Sequence, residues 1–512
     1  MSPVDSEIQF EIAACNSEGS GTAQQKRRRV LKTLLGAVVG APLASRVSKA
    51  APAGNPAPAA NASRLLVRPE NLDSLATRAK VVIELEGKLQ LKGIAESEKA
   101  KPREAEVKAK STLDYFETLA IDEDVVASRR YVLAESENWI TGKAAKLQLR
   151  PECRETVCMF REGTWQQFCP AETIDARETQ LLQSPINTAL LETLLPKKAA
   201  KPNSSWAFEN EEIAKLFNLE AVHKSSLTVR ILKVEKGKAT LELKGDVEAT
   251  ANSVPTKLSI NGNVRAEFGR QCLMITWLGL SVTEKRSISR AEPGFEVTAR
   301  IRMIRAEVGP NKTAQNPAML RQLATEPEPG RWLVRLQSSK AGFTMFGDRR
   351  WKMFLDSRED TVLRFIDNNT VVAQCNISRL TNMDAGTQVT LEGVQADIKK
   401  SLQGSWEEFV ETDEQVTSSN LRLIRTVSAG TVEDVPIQWI HNHLSDDEGR
   451  RFAMICTMGA NMTDQFAAND LQMTGSFRLL STVDDGLESQ ESDEAEPKLT
   501  ASKSPSESVK RK

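Results

Sequence analysis

Apolar and polar positions alternate strictly along several stretches of this chain. Val81, Ile83, Leu85, Leu89 and Leu91 interleave with Glu84, Glu86, Lys88, Gln90 and Lys92. A period of two marks a strand with one wet and one buried face. The pattern returns where Ala239, Leu241, Leu243 and Val247 interleave with Thr240, Glu242, Lys244 and Asp246. Leu227, Val229 and Ile231, then Val297, Ala299, Ile301 and Met303, predict further strands. Repeated half-buried strands imply an antiparallel sheet. Two stretches between them switch to helical spacing. Ser184-Pro185 reads as an N-cap with Pro at the first helical position, ahead of a stripe of Leu190, Leu191, Leu194 and Leu195. A second helix is expected over 211–219, with Ile213, Leu216 and Phe217 inward. Helices laid against the concave face of a curved sheet satisfy both patterns.

The later part of the chain predicts a second sheet. Val371, Ala373, Cys375 and Ile377 form a strand beyond the turn Asp367-Asn368-Asn369. Leu391, Val394, Ile398, Leu402, Trp406 and Phe409 recur every three to four residues, which predicts one long amphipathic helix. Strands are expected over 421–426, 435–444 and 451–457, the last two flanking the turn at 445–449. A final helix is predicted over 464–480, with Asn461 and Asp464 as a capping box and Met462, Phe466, Met473 and Phe477 on one side.

Punctuation divides the chain. Residues 51–63 are mostly Ala, Pro, Gly and Asn, a linker composition, and 307–330 is a second, Pro-rich linker. The expected organisation is a leader over 1–50, a β-rich domain over 64–306, an α/β domain over 331–481 and a disordered tail over 482–512. The leader holds a basic run, Lys26 to Arg29, then Val30, Leu31, Lys32 and an apolar stretch too short to span a bilayer. Small residues follow, with cleavage expected after Ala50. No transmembrane segment is expected in the mature chain. The full chain has net charge −1, and residues 1–50 carry seven basic and four acidic side chains, so the remainder sits near −4. That balance argues against a general nucleic-acid or anionic-membrane binder.

Arg27, Arg28, Leu31 and Lys32 spell a pattern that resembles a twin-arginine translocation signal. The resemblance implies folded export from a bacterial cytoplasm to the periplasm, envelope or medium. The order of elements over 331–481, carried by 361–366, 372–377 and 451–458, resembles the PsbP-like and DcrB-like fold. That resemblance implies a binding or assembly module that docks on larger complexes. The first domain, through 206–210, 229–247 and 275–287, resembles LolA-like and LppX-like half-barrels. That resemblance implies a groove able to hold a lipid or acyl chain.

Candidate chemistry is sparse. His441 and His443 lie two apart on a strand and share a face, so they are the candidate metal ligands, with Asp446 or Asp447 nearby. Two ligands are too few for a site, and histidines simply packed in a hairpin are the preferred reading. Six of the seven cysteines lie beyond the leader, and Cys153 with Cys158 is the candidate disulfide. Zinc is disfavoured there because no fourth ligand joins Cys153, Cys158 and Cys169. His223 reads as a packing residue with no hydrolase partner, and 348–350 as an exposed turn. Phosphate-binding glycine loops are absent from the sequence. No catalytic residue and no cofactor is expected. The fold class expected is α+β, a half-barrel-like antiparallel sheet with helices followed by a PsbP-like α/β sandwich. The function expected is exported, non-enzymatic binding or assembly with a protein or apolar partner. A lipid carrier or sensor is the alternative, and an enzyme with a dispersed carboxylate or metal site a further one.

Overall fold

The computed structural model describes residues 66–91, 103–121, 124–289, 293–309, 316–325 and 329–480. The leader with Arg27, Arg28, Leu31, Lys32 and Ala50, the 51–63 linker and the 482–512 tail lie outside the described residues. Thirteen strands of the first half join one antiparallel sheet. They are β1 (Ala76–Leu91), β2 (Arg103–Ile121), β3 (Val125–Ile140), β4 (Lys143–Gln148), β5 (Glu155–Arg161), β6 (Thr164–Phe168) and β7 (Ser205–Ala207). Then come β8 (Ala221–Ser225), β9 (Thr228–Glu235), β10 (Lys238–Ala251), β11 (Val254–Phe268), β12 (Leu273–Arg286) and β13 (Gly294–Glu307). Their order is β6-β5-β3-β2-β1-β13-β12-β11-β10-β9-β7, with β4 beside β3 and β8 beside β10. The sheet is therefore built from two meanders that meet where β1 pairs β13.

Alternation sets the register. Val81, Ile83 and Leu85 stand opposite Met303, Ile301 and Ala299 on one side and Leu113, Ser111 and Ala109 on the other. Leu278, Leu280 and Val282 continue the same inward row. A one-residue slip would turn every one of these side chains into solvent, so the pairing is strongly specified. The inner face is covered by α1 (Ala176–Leu181), the 3₁₀ helix Thr188–Leu194 and α2 (Asn210–Phe217). Leu191, Leu194, Leu195, Ile213 and Leu216 fill one core with Val81, Ile83, Leu241 and Leu243, all nearly inaccessible, and Leu85 packs at its margin.

The Leu stripe forms a 3₁₀ turn rather than the expected α-helix. Asn187, not Ser184, caps it by accepting from the Ala189 N–H at 3.2 Å. Two buried charges explain its place. Arg305, at the inward end of β13, pairs with Glu192 and donates to the carbonyls of Thr188 at 2.8 Å and Ile275 at 3.1 Å. Thr188 also saturates its hydroxyl. It donates to Glu117 Oε1 at 2.8 Å, accepts from Arg129 Nη2 at 3.1 Å and meets the Tyr115 hydroxyl at 2.8 Å. Arg129 Nε donates to the same Glu117 oxygen at 2.9 Å. Burial pushes Tyr115 up to about 12, so its hydroxyl stays protonated and is the donor to Thr188.

The 307–330 stretch is more than a linker. It contains α3 (Pro317–Thr325), whose Leu320 packs with Trp332 on Ala120, Val126, Val157 and Phe168. Neighbouring strand residues point to opposite faces. Leu119 belongs to the inner side with Ala189, so α3 caps the outer face at that end.

The second half has a three-stranded sheet, β14 (Val334–Ser338), β15 (Phe343–Gly347) and β23 (Arg478–Leu479), in that order. Its larger sheet contains β16 (Trp351–Asp356), β17 (Asp360–Asp367), β18 (Thr370–Leu380), β19 (Trp406–Val416), β20 (Arg422–Val432), β21 (Val435–Ser445) and β22 (Arg451–Gly459). The order is β16-β17-β18-β22-β21-β20-β19. One face carries α4 (Leu391–Leu402), and the other carries α5 (Thr463–Phe466), α6 (Asn469–Ser476) and the small sheet. Two expected helices are shorter than their apolar spacing suggests. α4 stops because Gln403 takes φ 48° ahead of Gly404, and Trp406 and Phe409 then belong to β19 while still packing against the α4 cluster. The final helix breaks at Ala467, where φ is 51°, and no side chain caps α5, so the Asn461–Asp464 capping box does not form. Arg425 holds α6 to the sheet through Asp470 at 2.6 Å.

The halves are docked. Arg349 donates to the Trp332 carbonyl at 2.8 Å and the Gln167 carbonyl at 2.6 Å. Residues Asp175 and Arg335 form a parallel bridge, and the Arg335 N–H reaches the Ile174 carbonyl at 2.9 Å. Removing one partner of a buried ion pair leaves the other charge uncompensated. Arg305→Met is therefore expected to lower unfolding free energy by about 3–5 kcal/mol, while adding Glu192→Gln restores most of it. Urea unfolding of the single and double variants measures both.

Candidate functional site

The sheet of the first half turns a charged face outward. Most charged register partners across it are opposite in sign, with Lys257 beside Lys285 an exception. One row runs Glu248, Lys257, Lys285, Glu296, Lys88 and Glu106 from β10 to β2. The next rows run Thr298, Glu86, Lys108 and Trp139, then Arg300, Glu84, Lys110 and Glu137. Several of these close as ion pairs, including Arg300–Glu86 at 2.8 Å, Lys285–Glu296 at 2.6 Å, Lys257–Glu248 at 3.1 Å and Arg302–Glu84. Exposed pairs of this kind add little stability. Their effect is a surface patterned in charge with almost no net sign.

Within this face lies a cleft of about 530 Å³ lined by Glu84, Glu86, Glu106, Lys108, Trp139 and Arg300. Its size suits a small ligand or a short segment of a partner. It offers carboxylates, cations and one indole face, a set that recognises polar groups and cations. A second depression of about 380 Å³ includes His223, Glu248, Lys257 and Glu296. His223 is exposed rather than packed, and its Nε2 lies 2.7 Å from Thr250 Oγ1.

His441 and His443 do share a face, but that face lies under α4, not at an open site. His443 stands opposite Ile424, which packs on Val394 and Ile398, and His441 stands opposite Thr426. His441 is 7% and His443 8% exposed. Asp446 turns to Arg450, accepting at 2.6 Å. Among the described residues no group of three or more His, Cys, Asp or Glu side chains is placed to hold a metal. Burial lowers both histidines to about 4, and for His443 the Arg451 and Arg422 charges add to that while Asp397 on α4 opposes it.

The cysteines associate differently from the Cys153–Cys158 expectation. All six described cysteines are free thiols. Cys153 ends the 3₁₀ turn Pro151–Cys153, and its thiol neighbours that of Cys169, just beyond β6. Cys158 is carried into β5, where it faces Gln167 of β6 and contacts its Oε1 at 3.5 Å. The 348–350 turn is also committed: Arg349 bridges the halves, and Arg350 pairs with Asp348 at 2.9 Å and Asp367 at 3.2 Å.

No protein-family profile and no curated protein matches the chain. Among solved structures, a protein of Bacteroides thetaiotaomicron VPI-5482 is 12% identical with TM-score 0.21, over 29% of this chain and 48% of its own. Lipovitellin, described for its lipid–protein interactions, is 7% identical with TM-score 0.27, over 48% of this chain and 26% of its own. The chain thus spans about half of the one and a quarter of the other. OpdQ of Pseudomonas aeruginosa is 7% identical with TM-score 0.10, over 75% of this chain and 97% of its own. Likenesses of this size carry no argument about function.

The two buried histidines make a pH prediction. Their folded pKa of about 4 lies below the ordinary 6.5, so the unfolded chain binds more protons between those values. Their contribution is complete above pH 6.5 and is lost as pH falls towards 4. Urea midpoints of the wild type should therefore drop more steeply from pH 7 to 4.5 than those of a His441→Gln, His443→Gln variant. The difference in slope is up to about 1.4 kcal/mol per pH unit for each histidine. Equal slopes would remove the histidines from the acid response.

Proposed function

We propose that this chain is an exported, non-enzymatic binding or assembly protein of the bacterial envelope, and that its partner is a polar, charge-bearing segment of another envelope protein. The observation that carries the reading is the outer face of the large sheet. It holds a row of mixed charges, mostly opposite in sign between neighbours, in register across six strands, and a cleft of about 530 Å³ beside Trp139. Mixed charge with little net sign gives specificity and orientation to an encounter rather than bulk attraction, which suits a docking surface. Trp139 supplies a large side chain of the kind that anchors such contacts. The inner face is occupied by Leu191, Leu194, Leu195, Ile213 and Leu216 from the chain itself, which favours this reading over an apolar cargo. The second half, a sheet with helices on both faces, supports the PsbP-like resemblance and the docking role it implies.

Three outcomes test the proposal. Arg27→Lys with Arg28→Lys is expected to keep the chain in the cytoplasmic fraction, and normal export of that variant would dismiss the signal. A lysine-directed crosslinker applied to intact cells should join Lys88 or Lys108 to another envelope protein. Trp139→Ala should lower that yield by roughly tenfold. Crosslinks confined to the chain, or unaffected by the substitution, would contradict the docking surface. Native mass spectrometry of the envelope-extracted protein should give the bare polypeptide mass. A stoichiometric lipid adduct would instead favour a carrier.

A further inference from the structure

The loop that leaves β6 carries much of the junction between the halves. Its Pro170 carbonyl accepts from Arg331 at 2.9 Å, Ile174 accepts from the Arg335 N–H, and Asp175 bridges Arg335. The loop begins at Cys169, whose Sγ lies 3.3 Å from the Glu152 carbonyl oxygen, one residue from Cys153. Arg150 organises the other side. Its Nη2 lies 3.3 Å from Cys153 Sγ and 2.8 Å from the Thr173 carbonyl, and the guanidinium grips Glu178 through two hydrogen bonds of 2.8 Å. Two thiols sixteen residues apart are thus held together at the root of the interface, with a fixed cation beside them.

We propose that Cys153 and Cys169 are a reversible dithiol–disulfide site, closed by exchange with a small-molecule or protein disulfide. Cys169 is the attacking sulfur. The neighbouring Cys153 thiol and the Ala171 and Glu172 N–H groups favour its charged form, outweigh burial and hold it below the ordinary thiol range. Its residue is also the more accessible of the two, at 4% against 0%. The Cys169 thiolate attacks one sulfur of the disulfide R–S–S–R, forms Cys169–S–S–R and releases RS⁻. Cys153 then loses its proton, attacks Cys169 Sγ and expels the second RS⁻. Two protein thiols are oxidised, R–S–S–R is reduced to two RSH, and the two protons lost by the cysteines are the two gained. The other thiol pair lacks these features. Cys375 and Cys456 face each other across β18 and β22 in the middle of the second core, and the hydrogen bond between them together with burial pushes Cys456 well up.

The sequence makes the pairing readable. Trypsin cuts after Lys146, Arg154, Arg161 and Arg177 but not between Arg150 and Pro151, so Cys153, Cys158 and Cys169 fall on three separate fragments, 147–154, 155–161 and 162–177. The full chain, reduced and then held with oxidised glutathione at pH 7 overnight, is quenched with N-ethylmaleimide and mapped by mass spectrometry. The expected product joins 147–154 to 162–177, with 155–161 carrying the maleimide. A 147–154 to 155–161 link, or all three fragments alkylated, overturns the proposal. Cys153→Ala provides an independent reading through Cys169 alone. It should trap glutathione on 162–177, because the resolving sulfur is gone, and absence of that adduct also counts against the site. If that variant does not fold, the pH dependence of Cys169 alkylation in the wild type serves instead. A midpoint below the ordinary thiol range agrees, and one within or above it does not.

Discussion

The first half of this protein depends on one residue, Thr188, and the charges that meet there. Its carbonyl takes a hydrogen bond from Arg305, and its hydroxyl takes part in three contacts, to Glu117, Arg129 and Tyr115. Arg305 comes from β13, Glu117 and Tyr115 from β2, and Arg129 from β3. A single 3₁₀ turn is therefore tied to three strands of the sheet. Desolvating two ion pairs costs much of what their attraction returns, so their net contribution to stability is modest. Their geometric consequence is not. The hydrogen-bonding capacity of the hydroxyl is used completely, and any shift of the turn would strand a buried guanidinium or carboxylate.

Fixing that turn decides which face of the sheet is left to meet other molecules. With the Leu stripe held in one place, the inner apolar row is covered and the outer rows of mixed charge stay open. The same physics fixes the junction between the halves. Trp332 lies against Phe168 with ring centroids 5.0 Å apart, and the Arg161 and Arg349 guanidinium groups sit over its indole at 4.9 and 5.6 Å. Burial and the Arg161 charge lower Arg349 to about 10, yet it remains a cation at neutral pH and keeps both carbonyl contacts.

Strands were the legible part of the sequence because their inward residues repeat every second position with few exceptions. Where helices were concerned, spacing alone misled. Trp406 and Phe409 continue the apolar rhythm of Val394 and Ile398, but two residues of backbone at 403–404 turn them into an edge strand. The buried charges had a signal that periodicity reasoning passes over. Arg305 occupies the inward phase set by Val297, Ala299, Ile301 and Met303, and Glu192 interrupts a run of leucines. A charge in phase with the core asks for a partner, and here each is the other's. The cleft had no such signal, since Glu86, Lys108, Trp139 and Arg300 come from four strands and meet only through register. Cysteine spacing pointed to Cys158, while the β5–β6 hairpin carries that residue away and brings Cys169 back to Cys153.

The inner face is sealed by the chain's own 3₁₀ turn, and the open outer face follows from that seal. Hydrogen–deuterium exchange of the full-length protein, followed on peptides spanning 187–195, tests this directly. The turn's amides, with Leu190 bonded to Asn187 and Leu195 to Glu192, are predicted to exchange as slowly as those of β1 and β13, opening only with global unfolding. Exchange far faster than in those strands would mean the turn is a lid over an accessible apolar groove, and would contradict the account.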